Sequence, residues 1–316
     1  MVAELVCRWS GAPVSAPGVY AGIPISVYHS AACCDGPSIS SSGLRTIFGE
    51  SPAHYWANSP LNPKRQPEKP NEALTLGRAA HHLLLGEIDF SKLFVIRPET
   101  LNGQAWQGNR TDCREWLKAV AAEGLTVLLP SQVEAIRGMA ASLAAHPLIR
   151  AGILGGEIER SIVWKDAETG VWLKVRPDAI PSTDADFADL KTTTDVSFDA
   201  LSRAIGEYHY EMQGALVGMA CREVLGREMA SFSLVFVEKA PPHCVRVVTL
   251  QEEDLALGEK QVRAALRLFA RCMDRGVWPG PGGEQSDAEY VSVPAWARTR
   301  AETRLATIAM ELEHAA

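Results

Sequence analysis

The segment from Trp172 to Thr194 reads WLKVRPDAIPSTDADFADLKTTT, with one acid at Asp178 and an acid–apolar–lysine triplet at Asp189-Leu190-Lys191. Side chains on a strand alternate between faces, so Asp189 and Lys191 project together while Leu190 points the other way. Val171, Leu173 and Val175 alternate with Trp172, Lys174 and Arg176, which predicts a half-buried strand over 170–178. Pro181-Ser182-Thr183-Asp184 has turn chemistry and leads into a second short strand over 186–193. Antiparallel pairing of the two brings Asp178 near Asp189. Carboxylates that close repel unless a cation lies between them. Hard oxygen donors suit Mg²⁺, which binds through one or two carboxylates and keeps several waters for substrate oxygens. Lys191 is then placed to polarise a water or to steady charge building on phosphorus. The chemistry such a set supports is metal-assisted phosphodiester hydrolysis, although a surface hairpin with solvated charges carries the same pattern.

Three further groups are within reach of that chemistry. Glu159, in GEIERSIVW, opens the preceding strand and can complete or orient a metal site. His81 and His82 lie mid-helix, one of them beside the apolar stripe. Tyr210 and Gln213 are spaced i, i+3 and share a helix face. That helix follows the D-x-K strand and can return the pair to its end.

The elements that must position these residues are read from periodicity and turn signals. Residues 1–27 are Pro-, Gly- and Ala-rich and predict an irregular segment. The serines at 40–42 open a short helix through Ile47 and Phe48, with a serine as N-cap. Residues 58–71 and 97–109 predict loops. Helices are expected over 72–85, 110–123, 131–145, from Pro147 to Leu154, 198–205, 208–225, 252–275 and 297–314. Leu76, Ala79, Ala80, Leu83 and Leu84 form the apolar stripe of the first of these. Strands are expected over 159–165, 230–238 and 244–250. Helices followed by a mixed sheet flanked by helices predict an α/β fold with a helical N-terminal part.

Composition narrows the class. The chain has 316 residues, 47% hydrophobic and 22% charged, with a net charge of −7. The acidic balance argues against a general nucleic-acid coat and leaves room for an enzyme whose basic residues line one channel. Lys64-Arg65, Arg78, Arg110, Arg114 and Arg176 are the local basic groups. No apolar run approaches the roughly 18 residues of a membrane span. The start, MVAELVCRWSGAP, lacks a secretory pattern, which points to the cytoplasm. The cysteines are scattered at 7, 33, 34, 113, 221, 244 and 272 without a C-x-x-C pair, so neither zinc nor an iron–sulfur cluster is expected.

In order along the chain stand Tyr28-His29, Ser40-Ser41-Ser42-Gly43-Leu44, Ser51-Pro52-Ala53-His54-Tyr55, Leu76-Gly77-Arg78-Ala79-Ala80-His81 and Asn109-Arg110-Thr111 with Trp116. His146-Pro147, Glu159, Trp164, Thr169-Gly170, Lys174, Arg176-Pro177-Asp178, Asp189-Leu190-Lys191-Thr192, Tyr210-x-x-Gln213 and Trp278-Pro279 follow. This ordered set, spanning residues 28–296, resembles the phage and prophage exonucleases of the exonuclease VIII (RecE C-terminal) type, within the PD-(D/E)XK nuclease superfamily.

The resemblance implies a restriction-endonuclease-like core over 28–296, between the irregular segment 1–27 and a C-terminal helix over 297–316. It implies Asp178 and Asp189 as metal-binding carboxylates, His81 rather than His82 as a further ligand, and Lys191 as the catalytic lysine. Glu159 matches the upstream acid, and Tyr210 and Gln213 would support the site. Related recombination nucleases often carry a tyrosine one turn after that glutamine; here Gly214-Ala215-Leu216-Val217 follows. Such enzymes use Mg²⁺, with Mn²⁺ as a substitute, and digest linear duplex DNA 5′→3′ to leave 3′ single strands. They are ring-shaped oligomers, here a trimer or tetramer, working with a single-strand annealing recombinase. Arg45, Arg65, Arg78 and Arg110 are the candidates for DNA contact. An endonuclease on the same fold and a non-catalytic DNA-end-binding protein are the alternatives.

Overall fold

A computed structural model describes residues 2–65, 72–85, 90–182, 185–284 and 287–314. The chain forms two compact units, Met1–Pro281 and Gly282–Ala316. No helix among the described residues is long and apolar enough to cross a membrane.

The first unit is built on two sheets. One takes strands β1 (Val6–Arg8), β2 (Gly18–Ala21), β3 (Ser38–Ser40), β4 (Ser161–Lys165) and β5 (Trp172–Val175) in the order β1-β2-β4-β5-β3. The other takes β6 (Asp186–Thr193), β7 (Ser231–Glu238) and β8 (Val245–Thr249) in that order, β6 parallel to β7 and β7 antiparallel to β8. The longer helices are α1 (Ser41–Gly49), α2 (Pro52–Asn58), α3 (Glu72–Leu84), α4 (Thr111–Ala122), α5 (Pro130–Ala145), α6 (Phe198–Glu207), α7 (Tyr210–Ala220) and α8 (Glu252–Arg275). The second unit carries α9 (Ala295–His314). This mixed α/β architecture is the one expected.

Parallel strands need a long crossover, and α6 with α7 provides it between β6 and β7. Both faces of β6 are therefore covered. Phe187 packs into a core with Phe232, Leu234, Phe236, Met212 and Leu216. Ala188 and Leu190 pack the other way, with Ala79, Ala80, Ile136, Met139 and Leu143. The period-2 rule thus holds along the strand: Leu190 is buried, and Asp189 lies on the opposite face from it.

Four expectations are corrected. The two segments around Asp178 and Asp189 do not form a hairpin. Trp172–Val175 pairs with β4 and β3, and Asp186–Thr193 pairs with β7. The expected turn is described only up to Ser182. The first segment is not half-buried either, because Trp172, Leu173, Lys174 and Val175 are all buried. The reason lies in the third correction: residues 1–27 are not irregular. β1 and β2 extend the sheet, and Val14, Ile23, Tyr28, Cys33 and Cys34 form a small core over the face that carries Val163 and Trp172. Finally, Glu159 does not open a strand but sits at φ +53 between the short strand Glu157–Ile158 and β4.

Elsewhere boundaries shift modestly. The helix after Pro147 stops at Arg150, and the 208–225 helix is α7 followed by a π-helical turn over Cys221–Leu225. Residues 94–96 and 126–128 form an unforeseen parallel pair, and a small hairpin, Thr100–Leu101 with Gln104–Ala105, lies within the expected 97–109 loop. Of the expected 58–71 loop, residues 66–71 lie outside the described residues.

Candidate active site

Asp178 and Glu159 are brought together by a two-residue antiparallel ladder. Ala179 pairs with Ile158 and Ile180 with Glu157, so the next residues outward, Asp178 and Glu159, face each other. The Glu159 N–H donates to the Asp178 carbonyl at 3.2 Å. A positive φ is strained for a residue with a side chain, and here it accompanies the turn at which Glu159 sits.

α3 contributes the histidine. It lies along β6, and its Ala79 and Ala80 are fully buried on the stripe the sequence predicts, although Leu83 is exposed. His81 stands beside that stripe. Its Nε2 is 2.7 Å from Asp178 Oδ1 and its Nδ1 is 3.4 Å from Glu159 Oε1. His82, one position on, is turned into the core at 8% exposure, near the rings of Phe90 and Phe94. Donor atoms of His81, Glu159 and Asp178 all lie within 4.8 Å of one another. Arg176 approaches Glu159 from the other side, Nε to Oε2 at 3.9 Å.

Asp178 is joined to the D-x-K strand through backbone rather than through strand pairing. Its Oδ2 accepts the Leu190 N–H at 2.5 Å, which sets it beside Asp189. Asp189 is 4% exposed. Its Oδ1 accepts from Gln213 Nε2 at 2.6 Å, and its Oδ2 contacts the Lys191 ammonium. Lys191 Nζ lies 5.0 Å from the centre of the Tyr210 ring. Tyr210 and Gln213 therefore do share the face that meets Asp189 and Lys191. The helix bearing them is held close: a Cβ at Gly258 of α8 would fall 2.3 Å from the Glu211 carbonyl oxygen, so only glycine permits this approach.

Burial, and then the neighbouring Asp178 carboxylate, raise the pKa of Asp189 against the pull of Lys191 and His81. For Lys191 burial acts to lower the pKa, but Asp189 and Asp178 outweigh it and hold the ammonium above its ordinary value. A buried acid that gains from losing its charge, beside a lysine that keeps its own, is an arrangement a cation would relieve. The two carboxylates converging beside Asp189 suit a hard divalent ion, and the imidazole adds one borderline nitrogen donor.

A family model described as "PDDEXK-like domain of unknown function (DUF3799)" matches residues 40–291. The chain belongs to this family. All seven residues just described, His81, Glu159, Asp178, Asp189, Lys191, Tyr210 and Gln213, fall inside the matched region. The PD-(D/E)XK-like assignment agrees with the resemblance carried by the sequence motifs. A crystal structure from Eubacterium rectale, of a protein named there as a candidate exonuclease, superposes with a TM-score of 0.59 at 14% identity, covering 86% of this chain and 97% of that one. At that identity the likeness shows a shared fold. No curated protein matches the sequence.

The basic residues expected to meet DNA separate in this DUF3799 structure. Arg45 reaches the site: its Nη1 donates to the Tyr208 carbonyl at 2.8 Å, and its guanidinium lies 5.7 Å from the Tyr210 ring centre. Burial lowers its pKa, partly offset by Tyr210, Asp189 and Glu211. Arg110 is paired with Asp112 and donates to the carbonyls of Ala105 and Leu101 in the small hairpin. Arg65 and Arg78 are exposed.

Two residues named in the sequence motifs carried no assigned role there. Arg176, one of the local basic groups, stacks 4.5 Å over the Tyr28 ring and donates to Ser161 Oγ and the Ile23 carbonyl. Lys174 is buried and donates to the Tyr28 carbonyl. The Tyr28-His29 dipeptide is what gathers them, and burial, then Lys174, Arg176 and Arg78, push the His29 pKa down to about 4. The signal was present in the alternation of Lys174 and Arg176, but it reads as a wet face until the N-terminal strands are known to cover it.

Proposed function

We propose that the chain is a Mg²⁺-dependent exodeoxyribonuclease that degrades linear duplex DNA 5′→3′ and leaves 3′ single strands. The observation that carries the reading is the convergence of His81, Glu159 and Asp178 within 4.8 Å, directly beside the Asp189–Lys191 pair. His81, Glu159 and Asp178 would hold the cation, with Asp189 as the adjoining carboxylate. When bound, a divalent ion lowers the pKa of a coordinated water and neutralises charge at phosphorus. Mn²⁺ substitutes.

The chain's own residues supply the rest. Lys191, fixed by Asp189 and by the Tyr210 ring, presents positive charge where a phosphate oxygen gains negative charge. Gln213 orients Asp189 through the 2.6 Å hydrogen bond. Arg176 keeps Glu159 turned toward His81. Arg45, beside Tyr210, faces the substrate's phosphates, and Arg78 and Arg65 lie further out as surface contacts.

The polarity of digestion, the ring-shaped homo-oligomer and cooperation with a single-strand annealing recombinase in a bacterial cytoplasm rest on the motif resemblance. The name of the Eubacterium rectale protein speaks for exonuclease activity alone. The test is nucleotide release in Mg²⁺ from 5′-labelled, 3′-labelled and covalently closed circular duplexes. Early loss of the 5′ label with circles intact is the expected result. Cut circles would make the chain an endonuclease. No cleavage in Mg²⁺ or Mn²⁺, with DNA ends still bound, would make it an end-binding protein.

A further inference from the structure

The second unit carries a helix that buries nothing. α9 runs for 20 residues without a buried side chain. Leu305, Met310 and Leu312 are 66%, 55% and 67% exposed, and Ile308 is 36% exposed. Ala301, Leu305, Ile308 and Leu312 recur at spacings of four, three and four, which draws one apolar seam along the helix. Helices in proteins draw most of their stability from packing an amphipathic face.

Its charges make solitude worse. Arg298, Arg300 and Arg304 outnumber Glu302 in the N-terminal half, and Glu311 and Glu313 stand with His314 in the last turn. The helix dipole favours the reverse placement, anions at the N-terminus and cations at the C-terminus. An antiparallel neighbour of the same sequence corrects both ends together, because it brings glutamates to the basic half and arginines to the acidic half. The flank of the seam agrees. Arg304 Nη1 and Glu311 Oε1 lie 3.6 Å apart within one helix, so both border the same side of the stripe. With Leu305 set against Ile308 of a second copy and Ala301 against Leu312, each Arg304 comes alongside the Glu311 of the other helix.

We infer that α9 is a self-association helix whose partner is α9 of a second copy of this chain, packed antiparallel. A two-fold pairing of this kind is self-complementary and joins copies in twos. It builds dimers or tetramers, and a trimeric ring would leave one helix without its mate.

The test reads mass and connectivity in the full chain, so it stands whether or not the protein cleaves DNA. Sedimentation equilibrium at micromolar concentration should give twice the monomer mass or a higher even multiple, and Leu305→Lys with Ile308→Lys should at least halve it. A monomeric or trimeric wild type overturns the inference, as does an unchanged mass in the double variant. Arg304→Glu should lower the associated fraction, and adding Glu311→Arg should restore it; no restoration overturns the pairing. With the exposed Cys7 and Cys244 changed to serine, Ala301→Cys combined with Leu312→Cys should oxidise to a covalent dimer, while Ala301→Cys alone should not. Cross-linking by Ala301→Cys alone would mean parallel helices.

Discussion

Replacing Lys191 by methionine isolates what its ammonium does for the fold from what it does for chemistry. Methionine keeps the length and the apolar stem but leaves Asp189 and Asp178 side by side without their cation. Removing one partner of a buried ion pair costs about 3–5 kcal/mol. A fifth of the Lys191 side chain still meets solvent, against 5% for Asp189, so the low end of about 3 kcal/mol applies. For a unit of this size each kcal/mol moves Tm by about 2 °C, giving a fall of about 6 °C in EDTA. The loss should depend on pH in a defined direction. Asp189 already has a raised folded pKa, through burial and then Asp178, and a group so shifted favours the folded state when protonated. Its contribution is full below the ordinary carboxylate pKa and is lost as pH rises through the raised value. The deficit of Lys191→Met should therefore shrink as pH falls. A bound cation substitutes for the ammonium: Mg²⁺ at about 100 times its Kd adds about 2.7 kcal/mol to the folded state. Differential scanning fluorimetry with and without Mg²⁺, across pH, measures all three effects. Cleavage should stay about 10²–10³-fold down even where Mg²⁺ restores stability. A variant as stable as wild type in EDTA, or one whose deficit ignores both pH and Mg²⁺, would refute the electrostatic account of this pair.

Two neighbouring histidines and one remote ion pair give sharper single contrasts. His81→Ala should raise the Mg²⁺ concentration needed for half-maximal cleavage with little change in Tm, whereas His82→Ala should lower Tm through lost packing near Phe90 and Phe94 and leave the Mg²⁺ dependence alone; equal Mg²⁺ shifts would reject the choice of His81. Asp166 is held below its ordinary pKa of 3.8: burial opposes this, but Thr169 and Arg263 outweigh it. A depressed acid stabilises above its unfolded pKa and loses that contribution as pH falls through the folded value. Asp166→Ala should then cost about 2 kcal/mol at neutral pH, and the gap from wild type in urea melts should close as pH drops below about 4. A gap of constant size would show that the charge of Asp166 contributes nothing.

Much of the site was legible because it is written locally. The period of two on a strand places Asp189 and Lys191 together and Leu190 in the core, whatever the strand pairs with. The period of 3.6 places Tyr210 and Gln213 on one face and Ala79 and Ala80 on another. The 252–275 helix was readable to its ends because its apolar stripe and terminal Gly276 are local signals. Periodicity could not separate His81 from His82, since adjacent residues differ by about 100° around the axis and the pattern places one of them beside the stripe without saying which; the motif resemblance favoured His81, and it is His81 that meets Asp178.

What only the tertiary structure decided is who lies beside whom across long separations in the chain. The sequence suggested a hairpin because two strand-like segments follow each other across a turn, yet each found a more extensive partner elsewhere, in β4 and in β7. Asp178 still reaches Asp189, through one backbone N–H at Leu190 that no side-chain pattern encodes. Glu159 meets Asp178 because of a two-residue ladder too short to have a periodic signature. The burial of Lys174 and the contacts of Arg176 depend on elements about 150 residues distant. Local physics fixes which way a side chain points. Which surface it then meets is settled by nonlocal packing, where the energy of covering both faces of a strand outweighs the preference of neighbouring segments for each other.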